Sequence, residues 1–270
     1  MVKVKIKEML YVISALVLVI VGPVLYLTFF VTHSNVANVG NNWNYISGAS
    51  PLLTNAKVPV TFISIESCQF CAAERYALFY ALSNLGNWTY YGRKVSLSTL
   101  PSGNYSSNPT TDNIFYKASE GDWTINFLNS HLSYSSVYVN FTSVEVDNNA
   151  GQPLQSTTPA QNTFLSKYDP KGDVPFTYIG NNFFETGAGS SLLSSEGVIL
   201  FNFSGYSGVG IPNGFMPAYI LAQLNISGSV INRGITTEAE YITAWICKDL
   251  GNIAPTCNNA SISQLENKLS

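Results

Sequence analysis

Residues 58–86 read VPVTFISIESCQFCAAERYALFYALSNLG. The stretch from Val58 to Glu66 is β-branched and apolar, the pattern of a buried central strand. Ser67 then stands where a helix N-cap is expected. From Cys68 to Leu85 the period changes to that of a helix. Cys71, Leu78, Leu82 and Leu85 recur at steps of seven, four and three, giving one apolar stripe that Gly86 ends. The motif Cys68-Gln69-Phe70-Cys71 therefore opens the helix directly after the strand. A helix N-terminus presents free N–H groups and the positive end of the macrodipole, which stabilise a thiolate and lower the thiol pKa. An exposed Cys68 would attack a disulfide, and Cys71, one turn in and partly covered, would resolve the mixed disulfide.

On these residues the chain resembles the thioredoxin-like superfamily. A second match is Val174-Pro175-Phe176-Thr177-Tyr178-Ile179-Gly180. The resemblance implies that Pro175 is a cis-proline facing the CxxC and that the Val174 backbone docks substrate. It also implies a hairpin over 175–186 and a C-terminal helix. Cys71 and Pro175 are 104 positions apart, so an insertion at about 101–170 is expected, as in periplasmic disulfide oxidoreductases. More narrowly, the chain looks like an archaeal family of membrane-anchored thioredoxin-like proteins. It departs from the superfamily in two places. Phe62 stands where a buried acid is common, six residues before the first cysteine, and Glu66 is expected nearer the surface. Gln69-Phe70 is neither Gly-Pro nor Pro-His, so the intervening dipeptide does not set a reduction potential.

Outside the core stretch, Val95 to Leu100 and Ser136 to Val146 read as strands, and Gln161 to Tyr168 as a short helix. Gly180-Asn181-Asn182 marks a turn from the strand at 175–179 to one at 183–186. Residues 187–214 are Gly- and Ser-rich around the apolar run Val198 to Phe203. Phe215 to Leu224 is helix-compatible, and Thr236 or Thr237 is the expected cap of a last helix that Gly251 ends.

Met9 to Val31 carries no charge. As a helix it would be about 35 Å long, enough for a hydrocarbon core of about 30 Å. Lys3, Lys5 and Lys7 precede it, and the next basic residue is Lys57. The positive-inside rule then places the N-terminus in the cytoplasm and the bulk outside. A cleaved signal peptide is the competing reading, although its apolar region is normally shorter; both readings export the domain. Residues 32–57, rich in Asn, Ser and Gly, read as a tether. The expected organisation is a cytoplasmic tip at 1–8, a transmembrane helix at 9–31, a linker at 32–57 and a domain at 58–270.

The chain has 270 residues, a net charge of −3 and only 11% charged residues, which argues against nucleic acid and suits an outward-facing surface, even an acidic one. Sequons at Asn87, Asn104, Asn140, Asn202, Asn225 and Asn259 are glycosylation candidates. Outside the cell, Cys247 and Cys257 read as a structural disulfide. Nine residues between them make a Cys₄ zinc site a poor fit, and only His33 and His131 are available for imidazole ligation or a Cys–His hydrolase. Asp147 and Asp169 read as solvated, and the scattered glycines as turns.

The fold expectation is α/β: a thioredoxin-like central sheet with helices on both faces, a large insertion and one N-terminal transmembrane helix. The expected function is extracytoplasmic thiol–disulfide exchange through Cys68 and Cys71. Its partners would be exported protein thiols or a membrane redox partner, with no metal or organic cofactor. The alternative is a surface binding or structural subunit whose Cys68–Cys71 disulfide is redox-silent.

Overall fold

The computed structural model describes residues 36–106, 112–118, 123–188 and 216–269. In chain order these hold β1 (Val36–Gly40), β2 (Trp43–Ile46), β3 (Val58–Ser64), α1 (Gln69–Ser83), β4 (Asn87–Tyr90) and β5 (Arg93–Val95). There follow β6 (Tyr105–Ser106), β7 (Phe115–Lys117), β8 (Trp123–Ile125), β9 (Leu132–Ser135), β10 (Val139–Glu145) and α2 (Pro159–Tyr168). The chain continues with β11 (Phe176–Ile179), β12 (Phe183–Thr186), α3 (Pro217–Leu224), α4 (Val230–Leu250) and α5 (Ala260–Glu266).

Six strands form the main sheet in the order β1-β2-β12-β11-β3-β10. Only β3 and β10 pair in parallel; the other neighbours are antiparallel. Because successive side chains alternate faces, each strand feeds two cores. Trp43, Val60, Phe62, Ile179 and Phe183 join the cluster that includes Leu78 and Leu82 of α1 and Ile242 and Trp245 of α4. Ile46, Ile63, Val144, Phe176 and Phe184 lie against Phe164, Leu165 and Tyr168 of α2. Each fully buried large apolar side chain contributes about 1.5–3 kcal/mol, so the first, larger cluster dominates the packing.

The architecture corrects the fold expectation. It is a mixed α/β arrangement with several sheets, not one central sheet carrying an insertion. Two further three-stranded sheets, β5-β4-β9 and β6-β7-β8, form between α1 and β10. Short strands pair there, matching Trp88 with Tyr134 and Phe115 with Ile125, too briefly for a period to show in sequence. The stretch expected as an insertion also contains β10, which pairs with β3 along its whole length.

No helix among the described residues is long and apolar enough to cross a membrane. The longest, α4, carries Arg233, Glu238, Glu240, Lys248 and Asp249. The segment expected to span, 9–31, lies outside the described residues, as do the tip at 1–8, Asn202 and the run at 198–203.

The expected tether is not loose chain where it is described. Asn41 and Asn42, both with positive φ, turn β1 into β2, and Trp43 and Tyr45 pair with Glu185 and Phe183 of β12. The expected strand over 95–100 stops at Val95, because Thr99 Oγ1 accepts from the Ser96 N–H at 2.8 Å and a 3-10 turn follows. The helix expected to be last is α4, which α5 follows; it starts earlier than expected, at Val230, capped by Ser229, whose hydroxyl accepts from Asn232 N–H at 3.1 Å. Thr236, expected as the cap, instead donates back to Asn232 O inside the helix at 2.6 Å. Gly251, in the left-handed region at φ 65°, closes α4.

Candidate functional site

The chain leaves β3 at Ser64, turns through Ile65-Glu66-Ser67 and enters α1 with Cys68 as N-cap. In place of a hydroxyl, the Cys68 sulfur accepts the Cys71 N–H at 3.2 Å. From the opposite side Cys68 Sγ donates to Val174 O, 3.8 Å away, and the Val174–Pro175 peptide bond is cis. The structure thus brings together Cys68, Cys71, Val174 and Pro175 from two distant segments. Both cysteines are free thiols and both are buried, Cys68 at 6% exposure and Cys71 at 0%. Cys68 is therefore more covered than the sequence leads one to expect.

The two thiols are driven apart electrostatically. The hydrogen bond with Cys71 lowers the Cys68 pKa, outweighing burial, with help from the Cys71 N–H and the Arg75 charge. Burial pushes Cys71 well up, and its hydrogen bond to Cys68 adds to the rise. Of the two, Cys68 is thus the more readily ionised and Cys71 the one that holds its proton more firmly.

Sequence reading missed the cation beneath this pair. Arg75 is fully buried and makes a bidentate pair with Glu145 of β10, Nε to Oε1 at 3.2 Å and Nη2 to Oε2 at 2.7 Å. Nη2 also donates to Ile65 O at 3.3 Å, and the guanidinium lies 5.6 Å from the Phe62 ring and 5.4 Å from Tyr116. Burial alone would lower Arg75; Glu145, Tyr116 and Cys71 together hold it above its ordinary value. Phe62, at the position where an acid is common, is thus an aromatic floor under a cation. Glu66 is not near the surface but buried at 1% exposure. Burial holds its carboxyl above the usual range, although Oε2 accepts from Asn149 N–H at 3.1 Å. The signal for Arg75 was present: Glu74-Arg75 interrupts an otherwise apolar helical run.

The remaining residues lie apart. A disulfide joins Cys247, in the last turn of α4, to Cys257, with Cα atoms 5.5 Å apart. His131 stacks on Tyr91 at 3.9 Å and lies 3.5 Å from Asp112. Asp169 is buried rather than solvated. Among the sequons, Asn87, Asn140, Asn225 and Asn259 are exposed, while Asn104 Oδ1 accepts from Ile114 N–H at 3.0 Å.

The arrangement is a dithiol at a helix N-terminus with the Val174 carbonyl across from Cys68. Residues 44–175 of the chain are similar to a family described as Domain of unknown function (DUF929). That match spans both halves of the site, from β2 through the cysteines to Pro175. No curated protein and no solved structure matches the chain.

Proposed function

We propose that the protein is an extracytoplasmic thiol–disulfide oxidoreductase of thioredoxin-like chemistry. The observation that carries this reading is the Cys68 thiol at the N-cap of α1, its pKa lowered, facing Val174 O. The Cys68 thiolate attacks one sulfur of a substrate disulfide, forming a mixed disulfide and releasing the other sulfur as a thiolate. Cys71 gives up its proton and attacks Cys68 Sγ, closing Cys68–Cys71 and releasing the second substrate thiolate. Two electrons pass to the substrate, and an external dithiol restores the pair; the reverse sequence oxidises a substrate dithiol. Backbone beside Val174 and Pro175 docks the substrate peptide.

Residence outside the cytosol is supported by the Cys247–Cys257 disulfide and the exposed sequons. The partners proposed are exported protein thiols or a membrane redox partner. The redox-silent alternative draws support from Cys71, whose complete burial opposes the thiolate that resolution requires.

Trapping separates the two readings. Cys71→Ser is expected to accumulate a Cys68 mixed disulfide with glutathione disulfide or a model peptide disulfide, and Cys68→Ser to accumulate none. If folded Cys71→Ser protein forms no adduct and Cys68 resists alkylation under mild dithiol, the exchange reading is lost.

A further inference from the structure

The β3, β11, β12 and β2 strands align Phe62, Thr177, Glu185 and Trp43 in one row across the sheet, on the face covered by α1 and α4. An acidic residue in the middle of such a row is unusual, and Glu185 is 0% exposed. Two more buried acids meet it from the helices above, Glu74 of α1 and Glu238 of α4. One ligand-capable oxygen from each of the three lies within 4.8 Å of the others.

Both oxygens of Glu74 lack a hydrogen-bond partner, and no donor from outside the group reaches Glu185, whose carboxyl shares a hydrogen bond with Glu238. A second, independent feature points the same way. Thr177 is not acidic, is 1% exposed, and its hydroxyl is also without a partner. It lies directly opposite Glu185 in the β11–β12 register, so its side chain stands on the same face, with Cβ atoms about 4.5–5.5 Å apart. Besides its bond with Glu185, Glu238 is held from outside the group. Trp43 Nε1 donates to its Oε1 at 2.6 Å and the Asn41 amide to its Oε2. This outer support is what fixes a carboxylate ligand in place.

We propose that Glu74, Glu185 and Glu238, with the Thr177 hydroxyl, bind an oxygen-seeking divalent cation that pins α1 and α4 to the sheet. The donor set has no sulfur or imidazole, which selects calcium- or manganese-like ions over zinc or copper. One oxygen from each carboxylate and the hydroxyl supply four ligands, which second carboxylate oxygens would raise toward the six to eight that calcium takes. Ligands on opposite sides of such an ion lie about 4.6–5.2 Å apart, comparable to the observed spread. Magnesium, which keeps several waters, fits a dry interior poorly.

The test uses the full chain, stripped with chelator and titrated with Ca²⁺, Mn²⁺ or Mg²⁺. One equivalent of Ca²⁺ or Mn²⁺ is expected to remain bound through gel filtration. At a hundredfold excess over Kd, Tm is expected to rise by about 5–10 °C. Glu185→Gln abolishes retention and shift, and the near-isosteric Thr177→Val weakens binding at least severalfold while the apo protein stays folded. The proposal is overturned if folded wild-type protein retains neither Ca²⁺ nor Mn²⁺ and shows no Tm shift. It is equally overturned if Thr177→Val binds as wild type, or if folded Glu185→Gln retains the ion as wild type does.

Discussion

The two cysteine pairs sit at opposite poles of two helices. Cys68 caps the N-terminus of α1, where free N–H groups stabilise negative charge, and its pKa is lowered. Cys247 lies in the last turn of α4, where carbonyl oxygens point outward, and it is tied to Cys257. Two residues on, burial pushes the Asp249 carboxyl up to about 7, despite a hydrogen bond from the Asn182 amide. The same residue type is thus a pair of free thiols at one helix end and a crosslink at the other.

The sharpest way to break the comparison is at the nucleophile. Cys68→Ser is expected to reduce dithiol-dependent cleavage of a model disulfide to the uncatalysed rate, whereas Cys257→Ser leaves it unchanged. Next in size is Arg75→Met, which strands Glu145 as an unpaired buried acid. It is expected to cost about 3–5 kcal/mol in urea unfolding, most of it recovered by adding Glu145→Gln. In that double variant the alkylation pKa of Cys68 is expected to rise, because its cation is gone.

At the other pole, Cys257→Ser is expected to cost about 2–3 kcal/mol through the freed loop, seen as a Tm about 5–10 °C lower. A further effect, spread over pH, concerns Asp249. Its folded pKa is raised, so between its usual value and about 7 the native state holds a proton that the unfolded chain has lost. Stability from this group therefore falls as pH rises, by up to about 1.4 kcal/mol per pH unit, and levels off above 7. Asp249→Asn is expected to flatten that share of the slope in denaturant titrations from pH 4 to 8.

Much of the dithiol site is legible in sequence because its determinants are local. The change from strand to helix at Ser67 fixes where Cys68 stands, and the Gly180-Asn181-Asn182 turn fixes the β11–β12 hairpin. Gly180 also must lack a side chain: a Cβ there would collide with Asp249 Oδ2, and its φ is +56°. The Arg75–Glu145 pair and the three buried glutamates are not legible in the same way. Glu74 and Arg75 are marked only by the apolar run they interrupt, and Glu145, Glu185 and Glu238 look like ordinary surface charges until distant segments bring them inside. The β1–β2 hairpin was hidden for another reason: Asn-rich turn chemistry resembles a linker when Trp43 is the main apolar clue. The two small sheets have strands of two to four residues, too short for alternation to be counted.

The β1–β2 hairpin has a mechanical consequence. Its open end is the Val36–Ile46 pair, at the edge of the sheet. Tension arriving along the chain at Val36 loads these hydrogen bonds one after another, as a zipper, rather than all at once in shear. Such a hairpin peels at low force, and β12 and β11 still separate it from β3 and the cysteines. Peeling of this kind is confined to β1, because Trp43 holds β2 in the core by its full burial and its Nε1 hydrogen bond to Glu238.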